Sequence, residues 1–170
     1  MAKLKKRANP LSKPQQRGFL VYHIPGRIHS IQSILQDERP DYLRLAGAAI
    51  LSRSIAAFLG LSTRNGRLCQ DHDYFPHESG QSWEVKLSDI DGGACLKVSD
   101  LTAIQRTHLE AGINETNRAF GHLTFWDDPA SQDAGGRAKK VYLREQVLRI
   151  QRFVHAVIEL YDQHTRGLAK

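Results

Sequence analysis

Glu115, Asn117, Arg118 and His122 are the residues of this chain best suited to chemistry. On a helix, Glu115, Arg118 and His122 recur three and four apart, so an acid, a guanidinium and an imidazole share one face within side-chain reach. An imidazole that titrates near neutrality can move a proton. An arginine beside it can hold a phosphate and stabilise the charge that develops on it during transfer. That set suits cleavage of a phosphodiester in RNA, where the ribose hydroxyl is the internal nucleophile. His122 would then act as general acid or base and Arg118 as phosphate holder, assisted by Asn117 and Glu115. The plain alternative is a solvated Glu115–Arg118 pair with His122 as a core histidine beside Trp126.

The element that must carry these residues runs from Asp100 to Trp126. Asp100 is its N-cap candidate, and the polar cluster closes it beside Leu123, Phe125 and Trp126. Within it, Asn117-Arg118-Ala119-Phe120-Gly121-His122-Leu123-Thr124 resembles the end of the long helix in HEPN-type domains, where an asparagine, a basic residue and a small or apolar pair lead into His-Leu-Thr. The resemblance implies a helical bundle that dimerises and a metal-independent ribonuclease of toxin or defence type. It equally implies a binding scaffold, since members of the superfamily that have lost catalysis serve that way. Asn117 and His122 match the polar position and the histidine of the active pattern. Thr116 stands where that pattern has its arginine, so Arg118 would have to serve from a different angle. Arg149 and His155 repeat the spacing more loosely on the last helix.

Charge adds a second set of candidates. The net charge of +6 suggests a nucleic-acid partner, but it is concentrated at one end. Lys3, Lys5, Lys6, Arg7, Lys13 and Arg17 meet no acid, and the remaining 18 basic residues balance all 18 acids. Residues 1–17 therefore read as a basic, loosely attached tail that either adds phosphate affinity or keeps the terminus soluble. Lys3, Lys5, Lys6 and Arg7 of this tail are the nucleic-acid-binding candidates, together with Arg149 and Arg152. No apolar run reaches membrane-spanning length or makes a signal-peptide core, and two cysteines make no disulfide framework, so the expectation is a cytoplasmic protein away from membranes. Cys69, His72, His77 and Cys95, with Asp73 among them, have donor types for zinc but lack the paired close spacings of zinc modules. No metal or cofactor is expected.

The rest of the chain predicts the scaffold. Gly18–Ile24 (GFLVYHI) is a β-branched and aromatic run stopped by Pro25, which suggests a short strand or extended segment. Ile28, Ile31 and Leu35 suggest a short helix over 27–36. From Tyr42 to Leu61, small and apolar residues dominate, as in a helix buried on most sides, and Gly60 ends it ahead of an Asn65-Gly66 turn. Trp83–Leu87 and Ala94–Val98 alternate like strands around the turn-rich SDIDGG, predicting a hairpin in an acidic region. From Arg137 to His164, Leu143, Val147, Ile150, Val154, Val157 and Tyr161 recur at four and three, the strongest periodicity present. The result is a mainly α chain: a helical bundle with a small β-hairpin insertion. Residues 18–170 form one helical domain, with 62–99 as the acidic insertion. RNA is the expected partner, with a protein partner or a second copy of the chain as the alternative.

Overall fold

The computed structural model describes residues 11–36, 42–70, 85–121 and 137–168, without the side chains of 42–43, 118–121 and 137–144. The chain is mainly α, a helical bundle with one small antiparallel sheet. In order come α1 (Lys13–Gly18), a π-helical turn (Phe19–His23), α2 (Ile24–Leu35), α3 (Tyr42–Phe58), β1 (Leu61–Arg64), β2 (Arg67–Gln70), α4 (Ala103–Gly121) and α5 (Arg137–Thr165). Packing of α4 on α5, of α3 on both, and of α2 on α3 makes the bundle.

The segment expected to be extended is helical. Ser12 and Gln15 form a reciprocal capping box that starts α1, with Pro14 in its first turn, so helix begins inside the stretch read as a loose tail. Residues 1–10 lie outside the described residues. Leu20, Ile24 and Ile31 are buried, and Ile28 and Leu35 pack against the core, which is helical spacing. The β-branched run concealed it. Pro25 has no N–H to give the carbonyl four residues back, and its ring crowds that group. Immediately before it the helix widens to a π turn, closed by the Ile24 N–H on the Phe19 carbonyl.

Helix α3 ends as its sequence predicts. Gly60 follows in the left-handed region at φ 87°, its N–H donating to the Ala57 carbonyl. A side chain there would also run into Cys95.

The hairpin exists, but not at the expected place. It lies at β1–β2, where Asn65 and Gly66 take φ of 50° and 79° and Arg64 pairs with Arg67 across the turn. Residues 85–101 form two short 3-10 turns and irregular chain, correcting the expected strand at Ala94–Val98 and the end of the one at Trp83–Leu87, where Val85 and Lys86 are irregular and Leu87 opens a 3-10 turn; Trp83 and Glu84 lie outside the described residues. The physical reason is that Ile90, in the middle of the supposed hairpin turn, is a buried core residue alongside Leu87, Leu96 and Leu101. Such a segment folds down onto the bundle and finds its backbone partners there. The Leu96 N–H donates to the Leu59 carbonyl, the Gln70 amide to the Leu96 carbonyl, and the Asp91 N–H to the buried Gln16 side chain.

Helix α4 starts two residues later than the Asp100 cap would place it. Thr102 caps it, accepting from the Gln105 N–H while the Gln105 side chain accepts from the Thr102 N–H. Along α5, Ile150, Val154, Val157 and Tyr161 are buried and Val147 packs against the core, so that stripe faces the protein's own interior.

Candidate functional site

Helices α4 and α5 approach closely at Gly112, where an added Cβ would overlap the Phe153 Cβ and ring. Around that point the seam is hydrocarbon, with Leu109, Ile113, Phe153 and Val157 all buried. One turn further along α4, it becomes polar.

Glu115 is 6% exposed there, and both its carboxylate oxygens are engaged. Oε1 accepts from Gln146 Nε2 at 2.8 Å, and Oε2 faces the Arg149 guanidinium at 3.6 Å. Arg149 also reaches Glu145, one turn back on its own helix, at 3.5 Å. Gln146 is itself buried, and its Oε1 is without a hydrogen-bond partner among the described residues. Thr116 is also buried and returns its hydroxyl to the Gly112 carbonyl at 2.7 Å, the usual local solution for a buried threonine in a helix.

One residue from each of two groups expected to act on nucleic acid therefore meets the other. Glu115 comes from the predicted catalytic set, and Arg149 from the predicted nucleic-acid-binding set 34 positions later in the sequence. Arg149 and Arg152, three residues apart, line an open depression of 340 Å³ with Glu145 and Leu148. Both arginines are exposed. His155 is exposed as well. It stands six residues from Arg149, a rotation of about 240° along the helix, so that looser repeat of the motif brings no pair together.

Asn117 points elsewhere. Its Nδ2 donates to the Thr63 hydroxyl of β1 at 3.4 Å, and Asn114 donates to the Gly66 carbonyl at 2.6 Å. Glu110 completes the row by accepting from the Leu68 N–H at 3.1 Å. These three residues recur at four and three along α4 and fasten the hairpin to it. Sequence reasoning assigned no role to Glu110 or Asn114. Their spacing with Asn117 was visible, but the partner strand was not.

Arg118 lies on α4 with its side chain outside the described part, and His122 lies outside the described residues. Lys3, Lys5, Lys6 and Arg7 lie outside them too. Cys69 and Cys95 are half-buried, the Cys95 thiol 3.4 Å from the Ser88 hydroxyl, and His72, Asp73 and His77 are beyond the described residues. Among the described residues no group of three or more His, Cys, Asp or Glu side chains converges as metal ligands, and no helix is long and apolar enough to cross a membrane. No protein-family model, curated protein or solved structure matches the chain.

Proposed function

We propose that this chain is a HEPN-like protein that acts on RNA, with the C-terminal half of α4 and the facing part of α5 as its working surface. The observation that carries this reading is the Glu115–Arg149 contact, which brings one residue of the α4 set against one of the α5 arginines. Held by Glu115 and Glu145, Arg149 is a pre-positioned cation beside Arg152 at an open depression, an arrangement suited to phosphate oxygens. Arg118 and His122 supply the chemistry in this proposal: Arg118 holds the scissile phosphate and His122 exchanges a proton with the ribose hydroxyl or the leaving oxygen. Glu115 is then a positioning residue, acting through Arg149 rather than on the substrate.

Binding without cleavage is the second reading, and one observation favours it. Glu115 and Asn117 both have structural partners, so the catalytic reading rests on Arg118 and His122 alone of the original four. A single experiment separates the two readings. Purified protein is incubated with single-stranded RNA in the presence of a chelator, and so is His122→Ala. Cleavage by the wild type and its loss in the variant support the nuclease. Binding by both with cleavage by neither supports the scaffold. Equal cleavage by the variant rejects the mechanism.

A further inference from the structure

We infer that the outward face of the N-terminal helices, from Lys13 to Ser30, holds single-stranded RNA, with a base stacked on Tyr22 and the backbone against Lys13 and Arg17. The inference rests on the RNA reading above for the class of ligand, and it uses residues which that reading does not.

Three observations carry it. The first is an aromatic ring standing in water on a fixed backbone. Tyr22 is 74% exposed, more than any other large apolar side chain among the described residues. Gln16, Leu20 and Ile24 are buried beneath it and Ile28 packs against the core. Three steps of four residues drift about 120° around a regular helix. The π turn at Phe19–His23 takes up that drift and keeps the row on one face. Tyr22 stands two residues from both Leu20 and Ile24, half a turn away from this row and on the side that faces solvent.

The second observation is clearance. Gly18 and Gly26 lie four residues before and after Tyr22, one turn to each side of it. A Cβ added at either would meet nothing within 4 Å, and neither glycine has a positive φ. Packing and backbone conformation therefore give no reason for glycine, which is a poor helix former. What the pair does is leave the turns on either side of the Tyr22 ring without a side chain. That is the room a stacked base and its sugar need.

The third observation is charge. Residues 11–36 hold Lys13, Arg17, Arg27, His23 and His29 and no Asp or Glu. Lys13 and Arg17, one turn apart on α1, are exposed, and neither meets a carboxylate among the described residues. Arg27 is half-buried and donates to the Ser54 hydroxyl at 3.0 Å. Asp91 touches α1, but through its backbone N–H and at Gln16, in the buried row opposite Tyr22. A polyanion laid on this face thus meets cations beside the ring. An anionic membrane is a polyanion too, but helices that lie on membranes bury a broad apolar face there. Here that face, Leu20, Ile24 and Ile31, is already against the core. A lone ring flanked by cations fits a base and its phosphates better.

The test is fluorescence anisotropy with a labelled 20-nucleotide single-stranded RNA, 2′-O-methylated so that it can be bound without being cut, titrated at several salt concentrations. The proteins are the whole chain as wild type, Tyr22→Ala, Tyr22→Trp, Gly26→Leu, Lys13→Gln/Arg17→Gln and Arg149→Gln/Arg152→Gln. Tyr22→Ala should bind roughly tenfold more weakly with its salt dependence unchanged, because the lost contact carries no charge. Tyr22→Trp keeps a stacking face and should bind as the wild type does. Gly26→Leu should melt at a higher temperature, leucine being the better helix former, and yet bind roughly fivefold more weakly, because its side chain lies against the Tyr22 ring. Lys13→Gln/Arg17→Gln should lose roughly 25-fold in affinity near 0.1 M salt, with a slope of log affinity against log salt shallower by about 1.4. Circular dichroism of each variant establishes that the fold is kept. If the wild type binds RNA, the Arg149/Arg152 variant binds it more weakly and the Tyr22 and Lys13/Arg17 variants bind it as the wild type does, the inference is overturned and the α4–α5 reading stands. If the latter variants lose only co-sedimentation with phosphatidylserine vesicles, the face belongs to a membrane and the inference is overturned in the same way. Wild-type protein that binds no RNA overturns both.

Discussion

The α4–α5 seam is built in two ways within a single helical turn. At Gly112 the helices touch through hydrocarbon, with the Phe153 ring filling the place of the missing side chain. At Glu115 the same two helices meet through a buried carboxylate, an amide and a guanidinium. The hydrocarbon end needs only shape and tolerates no added volume. The polar end needs every donor and acceptor satisfied, and one of them, Gln146 Oε1, is not satisfied among the described residues. That contrast sets a contact that needs only shape beside one that takes a carboxylate out of water against an amide and a guanidinium, which costs desolvation.

The largest test of the contrast is at the hydrocarbon end. Phe153→Ala should lower unfolding free energy by about 4 kcal/mol, measured by urea denaturation. Gly112→Ala should cost about 2 kcal/mol by overpacking against that ring. In the Phe153→Ala background the same Gly112→Ala change should cost less, because the ring is gone, but not nothing, because the Cβ that alanine keeps at position 153 overlaps the place where the new Cβ would sit. Additive effects of the two changes would show that the ring is not what excludes a side chain at position 112.

At the polar end the expected effects are smaller and couple differently. Glu115→Ala strips the Gln146 amide and Arg149 of their common acceptor and should cost about 2 kcal/mol. Replacing both buried partners, as Glu115→Met/Gln146→Leu, should cost less than Glu115→Ala alone, since no buried group is then left without its partner. If the chain binds RNA as proposed, the double variant should nonetheless bind it more weakly through a looser Arg149. If it were less stable than Glu115→Ala, the carboxylate would be holding the seam together rather than positioning a cation.

Two milder changes probe the flanks. Asn114→Ala removes the bond to the Gly66 carbonyl and should cost about 1 kcal/mol, with faster amide exchange confined to the hairpin. At the far end of α5, Tyr161 donates its hydroxyl to the Leu20 carbonyl at 3.2 Å. Burial pushes its pKa above the ordinary 10.0; Asp162 adds to the rise and a hydrogen bond with Thr165 opposes it. The neutral phenol is thus favoured more by the folded chain than by the unfolded one. Its contribution is fully present below pH 10.0 and is lost as pH climbs through the raised value. Thermal unfolding should show a steeper alkaline fall in Tm for the wild type than for Tyr161→Phe. Parallel curves would mean that Tyr161 ionises equally easily in both states.

Long helices were legible wherever burial and period agreed, as along Val147 to Tyr161 and from Tyr42 to Phe58. The mistakes fell where local composition and tertiary burial pointed different ways. The GFLVYHI run carries β-branched and aromatic residues, yet it is helical because Leu20, Ile24 and Ile31 reach one core. The strand-like alternation around SDIDGG was overruled by Ile90, whose burial draws that loop down onto the bundle. Asn65-Gly66 was recognised as a turn, but the strands on either side are only four residues each, too short for alternation to announce them. Within the candidate site the i, i+3 and i+4 spacings were readable. Which of those side chains faced α5, the hairpin or solvent was not.

What the sequence settled unaided was the class of fold, the two principal helices of the seam and the glycine stop after α3, because period, capping and left-handed turns depend on neighbours a few residues apart. Only the tertiary structure decided that Glu115 is buried against Gln146 and Arg149 and that Asn114 and Asn117 serve the hairpin. Those facts depend on contacts between residues as many as 54 positions apart, set by how hydrocarbon faces close over one another. A one-dimensional pattern records which faces are apolar and leaves the choice of partner to packing.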